Sequence, residues 1–72
     1  MKIISTTNVS KERNGHCINK TETLIESCGL YSIIEVTNIS GWWEDRSVEA
    51  VIVTDNYEEA VECYKLNGGK LN

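Results

Sequence analysis

Phenylalanine and proline are both missing from the 72 residues. Without phenylalanine, the aromatic side chains are Trp42, Trp43, Tyr31, Tyr57 and Tyr64. These five are expected to supply much of the buried area, because each such ring buries about 150–250 Å². No apolar run approaches the ~20 residues that cross a bilayer. Met1-Lys2-Ile3-Ile4 opens as a signal peptide does, but Ser5-Thr6-Thr7-Asn8 ends the apolar stretch at once. No secretion signal is read, and a cytoplasmic protein with no membrane partner is expected. The N-x-S/T triplets at Asn8, Asn19 and Asn38 therefore carry no message.

Cysteine is sparse and odd in number, at Cys17, Cys28 and Cys63. Reduced thiols suit that count better than a disulfide framework. With His16 these residues could in principle hold a metal, but no C-x₂₋₄-C pair is present and adjacent His and Cys rarely both ligate. A Cys–His nucleophile would need side chains that meet in space, which spacing does not show. Cys63 reads as a small packing residue. A glycine-rich phosphate loop is also lacking, since Gly68-Gly69 follows a helix rather than leading into one. No cofactor, no metal and no catalytic residue is expected.

A chain this short buries only about 60% of the surface its unfolded form exposes. It makes one domain, residues 1–72, with room for one sheet and one or two helices. Binding modules and subunits of oligomers suit that size better than an enzyme with a large active site.

The strongest pattern runs from Ser47 to Gly69. Ala50-Val51-Ile52-Val53 is a mostly β-branched run that suits a pleated, packed surface. Its loss of alternation predicts a strand at least partly covered on both faces, as in a central strand. Tyr57, Ala60, Val61 and Tyr64 then follow helical spacing, with Glu58, Glu59, Glu62 and Lys65 on the opposite side. Asp55 with Glu58 makes a variant capping box, and the first-turn carboxylates suit the helix dipole. Asn67-Gly68-Gly69 provides the left-handed residue for the stop.

Upstream, residues 2–10 read as a polar edge strand, and Asn14-Gly15 as a tight turn. Residues 19–28 are open to two readings. As a helix, Thr21, Leu24, Ile25 and Cys28 share a face, which leads to a ferredoxin-like βαββαβ order. As a strand, they pair through Cys28-Gly29 with Leu30–Ile39, which itself alternates. The strand reading is preferred. The fold class is then α+β: an antiparallel sheet of three to four strands with one C-terminal helix packed on it.

Charge is unevenly placed. Glu22 to Glu62 holds ten acids against the single base Arg46, a net −9, whereas residues 1–21 carry a net +3. Acidic surface repels phosphate, so direct nucleic-acid binding is not expected. It would attract a basic protein surface, including one that normally holds nucleic acid. The plainer reading is that the acids keep a small protein soluble. Trp42-Trp43, between Gly41 and Glu44-Asp45, could anchor an interface, cap the core, or bury in a homodimer. The candidate partner-binding residues are accordingly Trp42, Trp43, Glu44, Asp45, Glu58, Glu59 and Glu62.

The segment TDNYEEAVECYKL, preceded by a short meander, resembles the small acidic proteins of bacteriophages and mobile elements, anti-CRISPR inhibitors among them. That resemblance covers residues 47–66 and transfers no functional residue. It implies an inhibitor that offers acidic surface to a nucleic-acid-binding groove of a host defence protein. The alternative is a small structural or self-assembling homodimer with no inhibitory role.

Overall fold

The computed structural model describes residues 1–41 and 45–71. Four strands, β1 (Lys2–Arg13), β2 (His16–Ser27), β3 (Leu30–Ser40) and β4 (Asp45–Thr54), precede one helix, α1 (Tyr57–Leu66). The sheet is an antiparallel meander in the order β1-β2-β3-β4. Residues 16–29 are therefore strand and turn. The ferredoxin-like alternative, which needs a helix there, does not hold.

Both early connections are two-residue hairpins. Asn14 and Gly15 have φ of 51° and 79°, and Cys28 and Gly29 have 53° and 79°. Two successive positive φ values twist the turn in the sense of the strands it joins. Glycine takes that conformation freely. Asn14 tolerates it, whereas Cys28 is an uncommon residue for it.

Alternation sets two faces. Leu24 and Ile33, neighbours across β2 and β3, point to the helix side. Ala60 and Tyr64 come down from α1 and complete a fully buried quartet, flanked by Ile4, Tyr31, Val61 and Cys63. A register shift between Ile3 and Ser5 brings successive residues of β1 inward, Ile4 against the core and Ser5 beneath Tyr64. Tyr57, expected in the core, is instead half-exposed and meets Tyr31 edge-to-face at 5.4 Å. It sits in the first turn, where the helix has only begun to settle onto the sheet.

The helix start lies one residue later than predicted. Asn56, not Asp55, is the cap: its Oδ1 accepts from the Glu59 amide at 3.1 Å. The stop is as expected. Gly68 takes φ 95°, its amide donates to the Lys65 carbonyl, and the Gly69 amide donates to the Tyr64 carbonyl at 2.8 Å. That pair of bonds is a Schellman closure, which satisfies the last carbonyls.

The tail then turns back over the core. A Cβ on Gly69 would lie 2.6 Å from the Tyr64 ring, so only glycine fits. The Lys70 amide donates to Thr7 Oγ1 at 2.8 Å, and Ser5 Oγ donates to the Lys70 carbonyl at 2.9 Å. Tyr64 Oη joins the same group through Thr7 and Ser5. A buried phenol is thereby fully partnered, and the tail is tied to β1.

One expectation fails outright. Ala50-Val51-Ile52-Val53 is not a central strand. It lies in β4, the last strand of the meander, where every residue but Thr54 is exposed. Val51 and Val53 are 59% and 56% accessible. The run is apolar on both faces as predicted, but only β3 stands beside it. A ten-residue helix is about 15 Å long. It cannot reach over a sheet whose strands run the length of a molecule 43 Å long.

Candidate protein-interaction surface

Three surfaces follow from that mismatch of lengths. The first is the outer side of α1. Glu58, Glu59 and Glu62 are all exposed there. Helical spacing sets Glu58 and Glu62 one turn apart and Glu59 beside them. Glu59 Oε2 accepts from Thr54 Oγ1 at 3.5 Å. The ion pairs found among the described residues belong to Lys20 instead, so the chain spends none of its own cations on this trio.

The predicted acidic span does not form one continuous surface. Glu22 is only 2% accessible, and Glu35 is half-buried directly across from it. Between them sits Lys20, whose Nζ lies 3.4 Å from Glu22 and 3.3 Å from Glu35. The same ammonium donates to the Asn67 carbonyl at 2.9 Å, at the C-terminal end of α1. The negative end of the helix dipole favours a cation there. Burial, reinforced by the Glu35 charge, pushes the Glu22 carboxyl above its usual value despite Lys20. For Lys20 burial is the largest influence and acts downward, but the two carboxylates together outweigh it and hold the ammonium above the ordinary lysine value. Two of the ten acids thus act inside the fold, as the pins of a link between sheet and helix.

Asp45 is exposed at the opposite end, as the first residue of β4. Nine strand steps, about 30 Å, separate it from Thr54 and the helix start. The structure therefore gathers Glu58, Glu59 and Glu62 and leaves Asp45 apart from them. Trp42, Trp43 and Glu44 lie outside the described residues.

The second surface is the helix-side face beyond α1. Val9, Lys11, Arg13, Ile18, Lys20 and Glu22 line an open groove of about 700 Å³ there. Glu12 also lines it, and Lys20 is paired with Glu22 and Glu35, so Lys11 and Arg13 are what make this end more basic than the acidic helix face. Alternation within β1 brings Val9, Lys11 and Arg13 together, although the sequence reading did not single them out.

The third surface is β4 itself, with its free edge and apolar side chains. Ile34 pairs across to Val51, and Ser32 to Val53, on the face turned away from α1. Among the described residues no element covers that face. The run of β-branched residues was legible in the sequence; its position at the edge was not.

Cys17 and Cys28 are exposed at opposite ends of β2, and Cys63 packs against the core. Among the described residues, no group of three His, Cys, Asp or Glu side chains gathers to hold a metal ion, and no helix is long and apolar enough to cross a membrane. No protein-family model, curated protein or solved structure matches the chain.

Proposed function

We propose that the chain is a non-enzymatic protein-interaction module whose acidic helix face binds a basic protein surface. The observation that supports this is the trio Glu58, Glu59 and Glu62, exposed together on α1 with no ion-pair partner among the described residues. Carboxylates held on a rigid helix speed encounter with a basic partner and select against an acidic one. A surface that normally binds nucleic acid is a natural target, and the sharpest form of the reading is a phage-type inhibitor of a host defence protein. Trp42 and Trp43, the other candidate anchors, lie outside the described residues and are tested separately from the charges.

Capture from a host lysate tests it, with wild-type protein compared with two variants. One carries Glu58→Lys, Glu59→Lys and Glu62→Lys; the other carries Trp42→Ala and Trp43→Ala. The expected result is a basic partner that added DNA displaces and that the charge-reversed variant fails to hold. A partner retained equally by both variants, each still folded by circular dichroism, discards both surfaces.

A second reading is self-association in a structural role. It is favoured by the exposed apolar edge of β4.

A further inference from the structure

Natural proteins blunt the edges of their sheets, because unpaired N–H and C=O groups pair readily with another strand. The two edges of this sheet are treated differently. β1 is rich in serine, threonine and lysine, has a register shift near its start, and is tied by its side chains to the C-terminal tail. β4 pairs continuously with β3 from Asp45 to Thr54 and carries Val48, Val51, Ile52 and Val53 exposed. It has one acid in its interior, Glu49, no lysine and no proline.

We propose that β4 is the self-association surface: two copies pair their β4 strands antiparallel, about a two-fold axis through Ala50. The inference rests on the self-association reading and specifies where and how it occurs.

The register follows from three constraints. Residues directly opposite in an antiparallel pair share a face. A two-fold axis perpendicular to the sheet therefore passes through a residue, not between two. Centring on Glu49 would set that carboxylate against its own copy, and like charges directly opposite are unfavourable. Centring on Val51 or beyond shortens the pairing and pushes Arg46 past the end of the partner strand. Centring on Ala50 pairs residues 46–54 of both copies. Val48 then meets Ile52 of the partner on the helix side, and Ser47 meets Val53 on the other.

Charge complementarity supports the same register. Arg46 falls opposite Thr54 of the partner. Thr54 is the residue whose hydroxyl contacts the Glu59 carboxylate. Arg46 and Thr54 both lie on the helix side, since they pair with Ile39 and Tyr31 of β3. Arg46 is the one base between Glu22 and Glu62, and this arrangement sets it beside the partner's acidic helix twice over, once for each symmetry mate. The bare end of each copy adjoins the helix-covered end of the other, so the two helices stay apart.

Sedimentation equilibrium over a range of concentrations, together with a disulfide-trapping series, tests this. In a background with Cys17, Cys28 and Cys63 replaced, Ala50→Cys is expected to cross-link between copies, because directly opposed Cα atoms lie about 4.5–5.5 Å apart, within disulfide reach. Val48→Cys is expected not to, since it is about four residues out of register with itself. Val48→Lys, at a position already half-exposed, should leave the monomer folded and abolish the dimer. Arg46→Glu and Glu59→Arg should each raise the dissociation constant about tenfold, and their combination should restore it. A monomer at every concentration overturns both the inference and the self-association reading. A dimer that survives Val48→Lys, or that traps through Val48→Cys and not Ala50→Cys, overturns the inference alone. So does open-ended growth, which signals β4 pairing with β1 of a neighbour.

Discussion

The end of the sheet beneath α1 and the end that runs past it are built from the same four strands, yet they are held together differently. Under the helix, Leu24, Ile33, Ala60 and Tyr64 are wholly buried, and the tail closes over Tyr64 with hydrogen bonds to β1. Beyond it, Val9 and Val48 are 41% and 51% accessible, and cross-strand pairing is the main support. The charges divide in the same way, with Glu58, Glu59 and Glu62 over the covered end and Lys11 and Arg13 beside the open groove. Local strand preference is similar in both halves. The difference teaches that the length of the helix decides which part of this sheet has a core.

The largest test of that contrast is a matched truncation. Tyr64→Ala removes the largest buried side chain among the described residues along with its bonds to Thr7 and Ser5, and should cost about 4 kcal/mol. Val9→Ala, at the open end, should cost about 0.5 kcal/mol or less. Urea unfolding of both variants measures the ratio, and equal losses would erase the distinction.

The boundary between the ends is tested next. Lys20→Met leaves Glu22 buried beside Glu35 without a cation and frees the Asn67 carbonyl. The expected loss is about 2–3 kcal/mol, below that of a fully buried pair because Lys20 is partly open to water. The same variant should move Glu22 further upward, which titration by NMR would show.

A third test, smaller than that at Lys20, concerns Glu22 itself. Its folded-state carboxyl sits above the unfolded value, so the protonated form favours folding. That contribution is complete below the unfolded value and is lost as pH rises through the raised folded one. Mild acidification from neutrality should therefore strengthen the boundary until other carboxylates intervene. Glu22→Gln should flatten this dependence and raise stability near neutral pH by about 1 kcal/mol. A melting series across pH with both proteins checks the sign.

Much of the architecture was legible in the residues. Asn14-Gly15 and Cys28-Gly29 marked the two tight turns, the alternation through Leu30–Ile39 marked β3, and Ala60, Val61 and Tyr64 marked the packed side of α1. Their signals are local, set by φ preference and side-chain period. Position within the sheet is not local. A β-branched run such as Ala50–Val53 reads alike in the middle or at the edge, because the reading depends on what lies beside it. Glu22 looked like one more surface acid for the same reason. Only pairing with Glu35, with Lys20 above, placed it inside.

The candidate site divides along the same line. Glu58, Glu59 and Glu62 could be grouped from helical spacing alone, whereas Asp45 lay near Trp42 and Trp43 in sequence and turned out to be a strand's length from the helix. The sequence by itself determined most of the elements, the tight turns and the helix stop, since those depend on preferences within a few residues; residues 19–28 read as helix or strand until pairing with β1 and β3 made them β2. The tertiary structure decided which strand is the bare edge, which acids are interior and where the core ends. Those outcomes depend on a 15 Å helix settling on one end of a 43 Å molecule, and no run of neighbouring residues encodes that fit.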